Sequence, residues 1–142
     1  MDLEFFGRFE LEFCIKLLLS VVAGFLVGYE RETRGKDAGI STHILVIAGS
    51  MMFTVISDFV DPSSRSRIAA QVVSGIGFLG AGLIFKEGSI VRNLTTAASL
   101  WFAAAIGMAL GYGFYVITAV ATVMSVVIPR IPTLKNQNRD YR

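Results

Sequence analysis

Several residue types are scarce in this sequence of 142 residues, and each scarcity excludes a class of protein. The single cysteine, Cys14, cannot form an intramolecular disulfide bond, and one cysteine with one histidine cannot supply a structural zinc site. Charged residues make up only 17% of the chain, against about a quarter in soluble domains. The formal net charge of +2 gives no sign of a nucleic-acid-binding protein.

Apolar residues dominate instead, at 54% of the chain with a mean hydropathy of +0.62. Charges cluster in short segments between apolar runs that are long enough to cross a bilayer, about 17–25 residues each. The runs are Phe13–Tyr29, Ser41–Val60, Ile68–Phe85, Leu94–Leu110 and Tyr112–Ile131. The predicted fold is all-α: a polytopic transmembrane helix bundle of about five spans with a glycine-rich central third helix. Four spans stay possible, because only a short Gly-Tyr-Gly turn separates the last two runs.

The predicted organisation has three parts: an interfacial N-terminal segment at 1–12, a transmembrane domain at 13–131 and a cytoplasmic tail at 132–142. Residues 2–12 mix acidic and aromatic residues, which predicts a short helix lying on the membrane surface. No basic n-region precedes the first run, so we expect no cleaved signal peptide. Lys16 follows Glu12 by four residues, which predicts an ion pair, with the ammonium group reaching the interface.

The distribution of lysine and arginine predicts the orientation. The loops at 30–40 and 86–93 and the chain from 130 onward carry nine basic residues, whereas residues 1–16 and 61–67 carry four. The positive-inside rule places the first group in the cytoplasm. We therefore expect the N-terminus outside and the C-terminus inside.

The stretch GIGFLGAG, residues 75–82, contains the spacing G-x-G-x-x-G of dinucleotide-binding loops. That motif needs a preceding strand and an acidic residue about 20 positions later, and this sequence has neither. In a membrane helix, glycines let neighbouring backbones approach closely. Gly75 and Gly82 share one face of the third helix, and Gly77 and Gly80 share the opposite face.

Two further glycine pairs have the spacing G-x-x-x-G, namely Gly24 with Gly28 and Gly107 with Gly111. Such surfaces pack helices within one chain or between chains. Both interpretations stay open here, and a dimer is the favoured homo-oligomer.

Intramembrane polar residues are candidates for function, because each is costly in a bilayer. One face of the third helix carries Gln71, Gly75, Gly82 and Lys86, and a stripe on the second carries His43, Ser50, Thr54, Ser57 and Asp58. In one interpretation the serines and threonines bond to carbonyls of their own helix, Gln71 links two helices, and Asp58 lies in the outer headgroup region beside Arg65 or Arg67. In the other, these side chains line a cavity for an ion. His43 is a hydrogen-bonding group or a pH switch.

The sequence contains no set of catalytic residues, no cluster of metal ligands and no cofactor-binding motif. We therefore expect that the protein is not an enzyme and binds no cofactor. Asn93 is predicted to cap the fourth helix, three residues before Thr96. Glu30 and Arg31 directly follow the first run. They either set the orientation and form local ion pairs, or they make a docking surface.

Four stretches together resemble the MgtC/SapB family of bacterial inner-membrane proteins: GYERE (28–32), GISTHILV (39–46), RIAAQVVSGIGFLGAGLIF (67–85) and VRNLTTAASLWFAAAIGMALGYG (91–113). The sequence departs from the family pattern at Ser41, where Arg is usual, and at Asn93, where Gly is usual. Longer members carry a cytoplasmic C-terminal domain, so the chain resembles the SapB-like branch with the membrane domain only.

The resemblance implies a multi-pass protein of the bacterial plasma membrane, linked to growth in low Mg²⁺ and, in pathogens, to virulence and survival inside host cells. The resemblance implies that the protein regulates other inner-membrane proteins. We expect no nucleic-acid partner. The alternative is a Mg²⁺ or H⁺ permease or channel subunit lined by the polar stripes of the second and third helices. The candidate functional or partner-binding residues are Glu30, Arg31, Thr42, His43, Asp58, Arg67, Gln71, Thr95 and Thr96.

Overall fold

The computed structural model describes residues 3–64 and 66–132, and helices dominate both ranges. The five α-helices within them are α1 (Leu3–Thr33), α2 (Ile40–Val60), α3 (Arg67–Leu83), α4 (Leu94–Gly111) and α5 (Tyr115–Val127). A 3₁₀ turn, Ile128–Arg130, extends α5. The predicted all-α bundle of five helices is thus confirmed. Three segments are long and apolar enough to cross a membrane: Gly7–Thr33, Ile40–Val60 and Leu94–Gly111, whereas α3 and α5 are apolar but shorter.

The segment between α3 and α4, predicted as a charged loop, is a small antiparallel hairpin. Its strands are β1 (Phe85–Glu87) and β2 (Ile90–Arg92), paired from Phe85 with Arg92 to Glu87 with Ile90. Gly88 takes the positive φ of 61° that a two-residue hairpin turn requires.

Helix α1 is continuous from Leu3, so a separate short helix at 2–12 was a wrong prediction. From Phe9 onward α1 packs on α2, where the rings of Phe9 and Phe59 lie 5.2 Å apart. At 31 residues, α1 is about 46 Å long, well beyond the ~30 Å of a bilayer core. The interfacial position of residues 1–12 stays a prediction.

Helices α2 and α4 form the centre of the bundle, and both contribute to its buried apolar clusters. Helix α1 runs antiparallel to α2, and a Cβ on Gly24 would lie 2.5 Å from the Ile44 Cα. Helix α4 runs parallel to α2, with Gly107 against Ile47 and Gly111 against Thr54. Both G-x-x-x-G pairs therefore lie at close backbone contacts inside one chain.

Helix α3 lies at one side of the bundle, so its predicted central position was wrong. Its buried residues are Ala69, Ile76 and Gly80. Gly80 faces Ala97 of α4, but a Cβ added at Gly75, Gly77 or Gly82 would meet no atom within 4 Å. These three glycines are uncovered because neighbouring helices of this chain pack on one side of α3 only.

The helices end at different depths. Helix α4 ends where Gly111 meets Thr54, whereas α2 continues to Val60, a further ~9 Å. The first turns of α1 run beside this extension of α2, as the contact of Phe9 with Phe59 shows. A space is therefore left between α1 and α2 above the end of α4.

Candidate functional site

Polar residues that are far apart in sequence meet in the core near the end of α1. Glu30 and Arg31 of α1, His43 of α2 and Thr96 of α4 are each at most 2% exposed, and Ser99 of α4 is 9% exposed. We call these five residues the buried polar cluster. Four of them are candidates from the sequence. Ser99 was missed, although it shares a helix face with Thr96.

A chain of hydrogen bonds joins this cluster across three helices. Arg31 Nη2 donates to Thr96 Oγ1 at 3.3 Å, and Ser99 Oγ donates to the Thr96 carbonyl at 2.8 Å. His43 Nδ1 lies 2.9 Å from the Gly39 carbonyl, and its Nε2 lies 3.3 Å from Ser99 Oγ. Since a carbonyl only accepts, Nδ1 carries a proton. His43 thus ties α2 to α4 at the start of both helices.

Glu30 links the cluster to the end of α5. Its Oε1 accepts from Arg34 Nη1 at 3.3 Å, and the same Arg34 nitrogen donates to the carbonyl of Pro129. Within the described ranges, Glu30 Oε2 and Arg31 Nε are buried without a hydrogen-bond partner. Unmade hydrogen bonds at buried charged groups cost free energy. The packing of α1, α2 and α4 around the cluster has to offset that cost.

A second feature is an open cleft of about 620 Å³ between α2 and α3. Its walls are mostly apolar, with polar groups at Thr42, Ser50 and Gln71. Gly49 of α2 and Gly75 of α3 also line it, and neither would bring a Cβ within 4 Å of another residue. We call this feature the α2–α3 cleft. Gly49 was not a candidate from the sequence, because it lies outside any G-x-x-x-G pair.

The polar stripe of α2 and the Gln71 face of α3 do not line one common path. Thr54 and Ser57 are fully buried, and Thr54 Oγ1 donates to the Ser50 carbonyl of its own helix at 2.8 Å. Ser50 is the member of the stripe that borders the α2–α3 cleft, whereas Asp58 lines a different cavity. Gln71 is exposed at the cleft and bridges no two helices of the described chain.

That different cavity, of about 400 Å³, fills the space above the end of α4. We call it the α1–α2 cavity, and it contains Glu12, Lys16 and Asp58 beside three phenylalanines. Lys16 is 8% exposed, pairs with Glu12 at 2.8 Å and donates to the Gly111 carbonyl at 2.9 Å. The predicted ion pair is confirmed, but the ammonium group turns into the bundle rather than out to the interface.

The remaining candidates lie elsewhere. Arg67 pairs with Asp61 rather than with Asp58. The pKa of Asp61 lies below its ordinary value, chiefly because the Ser63 hydroxyl donates to the carboxylate, with Arg67 adding to the effect. Thr95 is exposed on the first turn of α4. The described ranges contain no group of three or more His, Cys, Asp or Glu side chains arranged to hold a metal ion.

Asn93 precedes α4 as predicted, but its side chain does not cap the helix. Its φ is 62°, in the left-handed region, and its Nδ2 donates to Asp37 Oδ2 at 2.6 Å. Glycine adopts this conformation most readily and asparagine next, so asparagine fits this position better than most residues would.

Comparison with known proteins agrees with this architecture. A sequence model described as the MgtC family matches residues 17–135. The chain is 39% identical over 145 residues to a protein of Escherichia coli K12 named putative magnesium transporter YhiD, covering 92% of the chain and 66% of that protein. It is 52% identical over 106 residues to Protein MgtC of Brucella abortus strain 2308, covering 74% of the chain and 44% of that protein.

Protein MgtC of Salmonella typhimurium strain 14028s is 46% identical over 112 residues, covering 79% of the chain and 48% of that protein. The chain thus spans about half to two thirds of the length of these relatives. No solved structure matches the chain. The family match covers most of the described bundle, including the buried polar cluster and the α2–α3 cleft. The chain belongs to the MgtC family of bacterial membrane proteins.

Proposed function

We propose that this protein is a non-enzymatic inner-membrane protein that binds other inner-membrane proteins and modulates them. The observation that carries the proposal is the α2–α3 cleft, an open apolar surface with bare backbone on both walls. The proposed partner contributes a transmembrane helix that lies in this cleft. The process is magnesium homeostasis, low-Mg²⁺ growth or intracellular survival, as the family resemblance and the name of the relative YhiD suggest.

Two features of the cleft favour a helix as its occupant. Gly49 and Gly75 come from different helices, so the backbone of a third helix can approach both walls closely. The Gln71 amide is exposed at the cleft and offers both donors and acceptors. A polar side chain on a partner helix would satisfy this amide, whereas a lipid acyl chain would leave it without a hydrogen bond. Self-association through the same surface is the alternative form of the proposal.

Substitution of Gly75 by leucine tests this directly. A Cβ added at Gly75 would meet no atom within 4 Å, so Gly75→Leu should leave the bundle folded while its side chain extends into the cleft. Gly77→Leu is the matched control, because Gly77 has equal space but does not line the cleft. We expect photo-crosslinking from Leu79, a cleft residue, to give a discrete membrane-protein product that Gly75→Leu abolishes and Gly77→Leu keeps.

The same two variants should differ in growth at low Mg²⁺, with Gly75→Leu behaving like a deletion. A crosslink that survives Gly75→Leu would contradict the use of the cleft. A product consisting only of this chain with itself would identify a dimer, and products with lipid alone would contradict a helical occupant.

The permease alternative is tested by flux. Purified protein in liposomes with a Mg²⁺-sensitive dye, and in a parallel set with a pH dye, should show no saturable entry, because the polar residues of α2 lie mainly in the core. Protein-dependent entry that is lost in Asp58→Ala or Gln71→Ala would establish transport and displace the binding proposal.

A further inference from the structure

The hairpin between α3 and α4 exposes apolar side chains that belong to no membrane-spanning helix. Both of its strands are exposed at every residue. Phe85 is 51% exposed, Ile90 60% and Val91 52%. A two-stranded hairpin is marginally stable by itself in water, so a surface outside the hairpin has to contribute to its stability. We infer that this hairpin lies in the headgroup layer of the bilayer and binds anionic phospholipids there.

The position of the hairpin along the bundle fits the membrane surface. Asn93, which follows β2 directly, donates a hydrogen bond to Asp37 at 2.6 Å. Asp37 lies in the short segment between α1 and α2, together with the exposed residues Arg34 and Lys36. Three exposed charged residues place this segment at the water side of the bilayer, because charges are costly in the hydrocarbon core. The base of the hairpin is therefore level with the headgroups.

The length of α3 leads to the same depth. At 17 residues, α3 is about 25 Å long, short of the ~30 Å of a bilayer core. It begins at the charged Arg67, and the residues that follow its end, Ile84 and Phe85, are apolar and exposed. These two side chains continue the apolar span beyond the helix, so the hairpin begins where acyl chains give way to headgroups.

The backbone of the hairpin rules out a deeper position. In the described sheet each strand pairs only with the other strand, so the outer edges of both strands present N–H and C=O groups without a partner in the sheet. Such groups are costly in hydrocarbon, whereas water and phosphate oxygens in the headgroup layer bond to them. The hairpin thus suits the layer between hydrocarbon and bulk water.

Both faces of the hairpin combine a basic and an apolar side chain. In the observed register, Phe85 lies opposite Arg92, and Lys86 lies opposite Val91. Opposite residues share a face and successive residues alternate, so these two pairs lie on different faces. A cation beside an apolar side chain contacts a lipid phosphate while its neighbour contacts the acyl chain.

The charge of the hairpin favours anionic lipids. It carries two basic residues, Lys86 and Arg92, and one acidic residue, Glu87. Arg92 Nε pairs with Glu87 Oε2, yet the Arg92 side chain remains 53% exposed. A guanidinium group has further N–H donors that reach phosphate oxygens, and Lys86 is exposed as well.

Tryptophan fluorescence of the full chain in lipid vesicles tests the depth. Trp101→Phe removes the single native tryptophan, and Ile90→Trp then places a reporter on the hairpin. Apolar groups of interfacial segments are buried about 5–10 Å into the headgroup and acyl boundary. Lipids brominated near the start of the acyl chain should therefore quench this reporter strongly, and acrylamide in the water should quench it weakly. Val120→Trp, at a residue of α5 that is 58% exposed, is the control reporter on a helix.

The same reporters measure lipid preference. Brominated phosphatidylglycerol in a background of phosphatidylcholine is compared with the reverse mixture. At Ile90→Trp we expect a preference for phosphatidylglycerol that Lys86→Gln lowers about fivefold, the contribution of one basic residue at an anionic surface. Lys36→Gln is the matched control, because Lys36 is exposed at the same end of the bundle but outside the hairpin, and it should change the preference much less. Val120→Trp should show no preference.

Strong quenching of Ile90→Trp by acrylamide would show that the hairpin stands in water, and it would overturn the inference. Equal association of both lipids with this reporter would also overturn it, as would a preference that Lys86→Gln leaves unchanged. Protection from both quenchers would mean that protein, such as the strand edge of a second copy, covers the hairpin instead of lipid. Gly75→Leu in the α2–α3 cleft should leave all these results unchanged, so the inference and the proposed function can fail separately.

Discussion

At the residue scale, two kinds of glycine in this protein look alike in sequence and differ in the structure. A Cβ on Gly107 would clash with the Ile47 carbonyl oxygen, and one on Gly24 would lie 2.5 Å from the Ile44 Cα. Gly75 and Gly77 have open space instead. The first kind holds the bundle together, and the second leaves a surface free, which is why the proposed partner contact lies on α3.

Asn93 gives a prediction at the same scale, because its φ of 62° is unfavourable for most side chains. Asn93→Val should lower the free energy of unfolding by about 1–2 kcal/mol, the cost of the left-handed conformation. Asn93→Gly should change it much less, since glycine relieves the backbone while losing the bond to Asp37. Thermal unfolding in detergent measures both, and equal losses in the two variants would show that the side-chain bond, rather than the backbone, governs this position.

At the element scale, the depth at which α4 ends explains why Lys16 is buried. The last carbonyl groups of a helix need hydrogen-bond donors, and within a bilayer water does not supply them. Lys16 donates to the carbonyl of Gly111, the final residue of α4. A charged residue inside an apolar run was visible in the sequence, but its partner 95 positions later was not.

Lys16→Met should therefore loosen the turn between α4 and α5. Methionine keeps the apolar stem but leaves the Gly111 carbonyl without this donor, a loss of about 1–3 kcal/mol. Hydrogen exchange of the amides at 112–115 should become faster, because the turn opens more often. Glu12→Gln is the control: its side chain is 56% exposed, so loss of that ion pair should leave exchange nearly unchanged. Unchanged exchange in Lys16→Met would show that the turn is held by packing alone.

The sequence predicted the elements well and their arrangement less well. Hydropathy and charge located all five helices, because apolar runs and charged loops alternate along the chain. The resemblance identified Glu30, Arg31, His43 and Thr96 as candidates, and the structure brings them together. The side of α3 that stays uncovered could not be predicted, because glycines on both faces fit a central helix as well as a peripheral one. The hairpin at 85–92 was missed because two three-residue strands carry too little pattern.

At the scale of the whole molecule, one contact bears on the number of spans. Arg34, just after α1, donates to the carbonyl of Pro129, just after α5. The ends of α1 and α5 therefore lie at the same end of the bundle, and the start of α1 lies at the other. Five crossings would give this arrangement, and the number of crossings stays a prediction.

Cysteine accessibility in cells tests this topology. In a Cys14→Ser background, a cysteine at Asp61 should react with a membrane-impermeant maleimide in intact cells. Cysteines at Lys36 and Arg130 should react only after the membrane is opened, because both positions belong to the basic side, which the positive-inside rule places in the cytoplasm. Reaction at Lys36 and not at Asp61 in intact cells would reverse the orientation. Reaction of a cysteine at position 130 on the side opposite to Lys36 would mean that α4 and α5 together cross the membrane only once. Pro129 would then lie on the other side of the membrane from Arg34. The contact between these two residues, which joins the buried polar cluster to the end of α5, could not form in the membrane.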